Sequence, residues 1–407
     1  MTRQHSKVCQ AVRPRRRNEQ LVQQGSHTNR KSAIANRKSI VTRVLLLIPT
    51  LDRSGAEQQL TLLATHLPRD QFDVRVATLT RGGPFENVLK QAGIPVIPLR
   101  KRFKFDPVAL WRLRRLLNDW QPDILHTWLF AANAYGRLAV GRHRRCKVIV
   151  SERCVDSWKS GWQLRLDRRL ISRTDLLVGN SQSVADFYRQ QGFPNDRLRV
   201  VPNGIDLPGE ALLSRDEILA AWNIPPQARL VGYVGRLAKQ KRVRDLIWAF
   251  ELLRSLHNEV HLLIVGDGPE KFALQQFARE IQADQQIHFV GHRDDARQLF
   301  PLLDVFWLAS DFEGLSNSVM EAMAAGIPVV ASDIPPNREL VVPGESGFLV
   351  PIGDRAAFAQ FTARLLADPE LARQLGTAGR ERIRTEFSIG KMVDGFVRLF
   401  REVLRQP

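Results

Sequence analysis

The chain has 407 residues, 44% hydrophobic and 25% charged, enough for two ordinary domains, each burying a core of its own. Its longest apolar runs, such as 44–49, are strand-sized and far short of the ~20 residues a membrane-spanning helix needs. The formal charge of +18 is concentrated in residues 1–42 (ten Lys/Arg, one Glu) and 100–173 (eighteen Lys/Arg, six Asp/Glu), which argues for a local anionic partner and against a generally cationic nucleic-acid binder.

Residues 1–42, rich in Arg, Gln, Ser and Asn and without periodicity, are expected to be disordered. They hold no apolar stretch of signal-peptide length, so the expected location is the cytoplasm. From Arg43 a rhythm begins, with strands predicted at 44–49, 72–79, 95–99, 123–127, 147–151, 175–180 and 198–202. Amphipathic stretches at 57–67, 107–120 and 183–191 fall between them. Strands too apolar to be half exposed, alternating with helices, predict a parallel sheet covered on both faces. The turn-rich stretch 203–208 interrupts the rhythm. It restarts with strands at 230–234, 261–265, 287–290, 305–309, 328–332 and 348–350, and the chain closes on helical patterns from 355 to 405. The fold class is therefore α/β, with doubly wound domains over 43–207 and 208–387 and a last segment over 388–407.

Ligands of open parallel sheets bind beyond the carboxyl ends of the strands, so the polar residues that follow each strand are the candidates. Arg236 and Lys241 follow the strand ending at Gly235; two cations in one short loop can neutralise a diphosphate, and Gly235 admits a ligand close to the backbone. The same residues also suit a solvated basic loop. After the strand ending at Ala309, Gly314 breaks the chain and a helix is predicted to start near Ser316 or Asn317, where free amides suit a phosphate. Glu321, one turn inside that helix, suits a hydroxyl-rich group such as a ribose, or complements the helix dipole. His126 ends the strand Asp123-Ile124-Leu125 and is either structural or catalytic. Ser54-Gly55-Ala56-Glu57 would let a sugar lie against a helix start. Neither this stretch nor Gly266-Asp267-Gly268-Pro269 has dinucleotide-fingerprint spacing. Arg293-Asp294-Asp295 reads as a helix-capping turn, and three cysteines (Cys9, Cys146, Cys154) are too few and scattered for disulfides or zinc.

In order along the chain, these residues resemble the retaining family 4 glycosyltransferases of GT-B fold. The resemblance rests on Glu313 and Glu321, which have that family's E-x7-E spacing within Glu-Gly-Leu-Ser-Asn-Ser-Val-Met-Glu. It is supported by Val201-Pro202-Asn203-Gly204-Ile205-Asp206, Gly235-Arg236-Leu237, Gln240-Lys241, Val265-Gly266-Asp267-Gly268-Pro269 and Gly344-Glu345-Ser346-Gly347. The resemblance implies two facing domains, with Arg236 and Lys241 on the donor diphosphate and Glu321 on the nucleotide ribose. It places Glu313 beside the donor sugar, the amides of Leu315 and Ser316 near a phosphate, His126 at the transferred sugar and Gly55 beneath the donor. It also implies that the last helix crosses back to the first domain. The implied reaction is retaining transfer from a UDP- or GDP-sugar, with no cofactor and no metal, to a saccharide or lipid-linked acceptor in surface polysaccharide or glycolipid assembly. The family frequently has Gly-Gly-Ala-Glu where this chain has Ser54-Gly55-Ala56-Glu57, and Gly where it has Arg242.

A sugar-nucleotide epimerase or hydrolase of the same fold is the main alternative. A basic nucleic-acid-binding protein is disfavoured for want of a recognised module. Residues 101–120 mix Phe103, Phe105, Leu110, Trp111 and Leu113 with Lys101, Arg102, Arg112, Arg114 and Arg115, and residues 153–173 add Trp158, Trp162, Arg165, Arg168 and Arg169. Two readings stand: an ordinary amphipathic core helix, or a basic aromatic surface resting peripherally on an anionic membrane.

Overall fold

The computed structural model describes residues 41–141, 146–157, 159–207 and 214–406. The basic N-terminal segment, apart from residues 41 and 42, lies outside the described residues, as do Trp158 and residues 208–213, where the second domain is expected to begin. Seven strands form a first sheet: β1 (Thr42–Ile48), β2 (Phe72–Thr78), β3 (Val96–Pro98), β4 (Ile124–Trp128), β5 (Lys147–Glu152), β6 (Leu176–Gly179) and β7 (Leu198–Val200). Six form a second: β8 (Arg229–Val234), β9 (Val260–Val265), β10 (Ile287–Gly291), β11 (Val305–Leu308), β12 (Val329–Ser332) and β13 (Phe348–Val350). All the pairings are parallel, in the orders β3-β2-β1-β4-β5-β6-β7 and β10-β9-β8-β11-β12-β13. The direction of winding reverses between β1 and β4 and again between β8 and β11, so each sheet has a crevice at the carboxyl ends of those strands.

The unbroken apolar runs follow from burial on both faces. Along β1, Val44, Leu46 and Ile48 enter a core with Leu60 and Leu63 of the helix Gly55–His66, while Leu45 and Leu47 enter another with Ala109 and Leu113 of the helix Pro107–Trp120. Asp106 caps the latter helix, accepting from the amides of Val108 (2.9 Å) and Ala109 (3.1 Å). The second sheet is buried in one large cluster that includes Tyr233, Phe250, Phe306 and Trp307.

The last helix, Ile389–Arg405, belongs to the first lobe by packing. Its Met392, Phe396, Phe400 and Val403 lie in the same core as Val44 and Leu46. The crossing is fixed where the Ile205 amide donates to the Phe387 carbonyl at 2.9 Å. No helix among the described residues is long and apolar enough to cross a membrane.

On neighbouring β9 and β10, His261 and His288 stack, with ring nitrogens 2.9 Å apart. Burial pulls both below the ordinary histidine value, and His261 adds to the effect on His288, which is pushed down to about 4. Both rings bind protons less readily folded than unfolded. The stability they preserve is complete above pH 6.5 and is lost as pH falls towards about 4. His288→Gln is expected to flatten the acid limb of melting temperature against pH in that window; an unchanged limb would assign it to other groups.

Candidate active site

The carboxyl ends of β1, β4, β8 and β11 face a cleft of about 1200 Å³ between the two lobes. Its second-lobe wall carries Gly235, Arg236, Lys241, Glu313, Leu315, Ser316 and Glu321; Gly55 comes from the first lobe. The candidates other than His126 therefore gather in one place. Arg236 is exposed on this wall, with no ion-pair partner among the described residues. Lys241 Nζ contacts Glu313 Oε1, and both side chains are largely buried, so each neutralises the other while no ligand competes. The helix Asn317–Ala324 starts here, and no side chain caps it, leaving its first amides available to an anion. Glu321 Oε1 accepts from Arg297 Nε (2.8 Å) and from Gln58 Nε2 of the first lobe (3.2 Å).

His126 is corrected by the structure. Strand β4 runs two residues past it, so the segment that reaches the cleft is Leu129, Phe130 and Ala131. The His126 ring is fully buried between Trp128, Phe396 and Phe400, with Nε2 2.8 Å from Ser151 Oγ. Burial, reinforced by Arg153, holds its pKa well below the ordinary value and keeps the ring neutral at pH 7. It does not line the cleft. The capping turn also differs in detail. Asp295 precedes the short helix Ala296–Leu299, but its carboxylate takes a two-point bond from Arg293 (2.7 and 2.6 Å) and caps no amide of that helix.

The first lobe contributes a wall that sequence reasoning missed. After β5, the segment 153–156 places Arg153, Cys154 and Asp156 on the cleft. It is anchored from below by Lys159, whose ammonium meets Glu152 (3.1 Å), Asp156 (3.0 Å) and Asp167 (3.2 Å) out of contact with water. Burial pushes Glu152 up to about 7 against the pull of Lys159. Arg153 rests its guanidinium 3.8 Å from the centre of the Trp128 ring, and Nη1 reaches Asn203 Oδ1 at 3.3 Å. Across the cleft, the Val155 amide donates to the Glu313 carbonyl at 3.1 Å. Asn203 Nδ2 donates to the Leu315 carbonyl (3.0 Å) and to Asn317 Oδ1 (2.8 Å). Asn203 lies in the motif already singled out, whereas nothing in the spacing of Arg153, Asp156 or Arg297 marks them.

Two family models match the chain: Glycosyltransferase Family 4 over residues 53–208, and Glycosyl transferases group 1 over residues 214–382. The chain belongs to the family 4 glycosyltransferases. Among its relatives is EpsD of Bacillus subtilis (strain 168), named as a glycosyltransferase, 30% identical over 70% of this chain and 78% of that one. A GDP-mannose-dependent alpha-mannosyltransferase of Mycolicibacterium smegmatis is 27% identical over 87% of this chain and 91% of its own. The crystal structure of Anabaena Alr3699/HepE with UDP and glucose superposes with a TM-score of 0.80 at 22% identity, covering 89% of this chain and 100% of that one, and shares the fold.

The departures from the family pattern have local explanations. Ser54, where a second glycine is frequent, lines the cleft and donates its hydroxyl to the Glu57 carboxylate. Arg242, where glycine is common, takes the left-handed conformation that glycine reaches freely, φ 48° and ψ 36°. Its guanidinium holds it there, donating to Asp245 (2.7 Å) and Asp311 (3.0 Å).

Proposed function

We propose that this glycosyltransferase moves a hexosyl group from a UDP- or GDP-linked donor to a saccharide or lipid-linked acceptor, with retention at the anomeric carbon and without a metal ion, in surface polysaccharide or glycolipid assembly. One observation carries the reading: Arg236, Lys241 and the uncapped start of the helix Asn317–Ala324 share one wall of the cleft with Glu313 and Glu321. The diphosphate would lie against the first three, the ribose against Glu321 and the sugar beside Glu313. The UDP bound by HepE and the GDP-mannose dependence of the mycobacterial relative support a nucleotide-sugar donor and leave both bases in play.

In the proposed reaction the bond between the anomeric carbon and the diphosphate oxygen breaks. The acceptor hydroxyl oxygen attacks that carbon from the same face, and its proton passes to the leaving phosphate. Negative charge grows on the phosphate as the bond lengthens, and fixed cations and amides in a cleft stabilise it without reorganising. His126, buried in the sheet, has no part in these steps.

The test is calorimetric titration with UDP, GDP, UDP-glucose and GDP-mannose in EDTA, repeated with Glu321→Ala. Binding of one nucleotide family, lost in the variant, is the expected result and names the base. A folded protein that binds none of the four in EDTA but does so with a divalent cation would overturn metal independence. Release of free sugar as the sole product would favour a hydrolase.

A further inference from the structure

We propose that residues 102–115, with the exposed face of the helix Gly161–Arg169, form a docking surface for an anionic phospholipid bilayer, and that docking brings the Phe130 end of the cleft to the headgroup layer. Phe103 is 68% exposed, Phe105 71%, Trp111 57% and Trp162 40%. These are large apolar groups held in water by a loop that is itself well fixed: buried Asp106 accepts from the Arg102 amide (2.8 Å) as well as capping the helix that follows. The surrounding charge is mainly positive. Arg100, Arg102, Lys104, Arg114, Arg115, Arg165, Arg168 and Arg169 are all exposed, Asp106 and Asp167 are buried, and the one exposed carboxylate on these two helices, Asp119, pairs with Arg115 (3.4 Å).

The helix Pro107–Trp120 settles which residues are core and which are surface. Ala109, Leu113 and Trp120 face inward, and Trp111 and Val108 remain outside. From 153–173 the buried Arg153, Asp156, Lys159 and Asp167 are excluded, so the surface keeps Trp162 and the exposed arginines.

Phenyl and indole rings gain by leaving water only if they enter an apolar medium. Aromatic rings ringed by Lys and Arg match the boundary between acyl chains and anionic headgroups. A polyanion such as nucleic acid would account for the cations and leave Phe103 and Phe105 in water. The patch is also continuous with the cleft: Phe105 packs edge-on to Trp162 (6.3 Å between centres), Lys104 Nζ lies 4.6 Å from the Trp162 ring, and Trp162 meets Phe130 at 5.7 Å. Phe130 lines the cleft. Docking stands on this surface alone; that a lipid-linked acceptor then enters past Phe130 rests on the glycosyl transfer proposed above.

The experiment is flotation of the full chain, without nucleotide, on phosphatidylcholine vesicles with and without phosphatidylglycerol at 0.1 M salt. Binding is expected only with phosphatidylglycerol. The variant Phe103→Ser/Phe105→Ser/Trp111→Ser is expected to bind at least about tenfold more weakly. Arg102→Glu/Lys104→Glu is expected to lose at least about 25-fold, since each cation near an anionic surface contributes about fivefold. Unchanged melting temperature and nucleotide binding would show that both variants are folded, and keep this test separate from that of the donor site. Equal binding to both vesicles, no binding to either, or undiminished binding by both variants (the basic N-terminal segment then sufficing) would overturn the proposal. So would retention on DNA or an acidic polysaccharide without vesicle binding.

Discussion

Lys241→Ala is expected to lower kcat/KM by about 10³-fold, the upper end of what removing one fixed group beside a developing anion costs. Two effects add. In the reaction proposed above, the cation opposite the leaving phosphate disappears, and the largely buried Glu313 carboxylate, paired with Lys241, is left uncompensated where the diphosphate would lie. Charge grows on the phosphate as the bond breaks, so kcat should fall by more than nucleotide affinity does. Lys241→Arg, which keeps the charge and changes its geometry, should recover part of the loss. Steady-state kinetics with parallel nucleotide titrations would check this. Activity within tenfold of the parent in Lys241→Ala would remove Lys241 from the mechanism.

Gly314→Ala is expected to reduce kcat by about 100-fold, the scale on which a misplacement of about 1 Å acts. A methyl group at Gly314 would lie 2.0 Å from the Arg153 carbonyl oxygen and 2.8 Å from Asn180 Nδ2. Its backbone is not left-handed, so the penalty is one of space and not of conformation. The loops after β5 and β11 would have to separate, breaking the Val155–Glu313 backbone bond and moving Glu313 with it. A full-strength enzyme with alanine here would mean that the two loops are free to part during turnover.

The central strands were legible because they are covered on both faces: Leu45-Leu46-Leu47 or Leu262-Leu263-Ile264 admits no polar alternation. The ends were less so, since Thr42 and Arg229 begin strands with polar side chains that reach water at the sheet margin. The second-lobe wall was legible because glycines and cations follow strands over short spacings. His126 misled because it stands near the carboxyl end of a central strand, where ligands bind, whereas Thr127 and Trp128 continue the strand beyond it. Arg153, Asp156 and Arg297 were missed for a different reason. Their place on the cleft comes from a buried ion cluster and from the meeting of two lobes, neither of which has a local pattern.

The return of the last helix to the first sheet has a bearing on how the protein is made. His126 and Trp128, at the centre of the first sheet, are covered by Phe396 and Phe400, which leave the ribosome some 270 residues later. During synthesis the first lobe therefore waits with Leu46, Ile149 and Val178 uncovered on one face, while the second lobe, whose core needs nothing beyond Phe387, can close ahead of it. The order of completion is the reverse of the order of synthesis. A chain that ends before residue 389 would carry a finished second lobe and an open, aggregation-prone first one, and chaperone demand should fall on the half of the chain that is translated earliest.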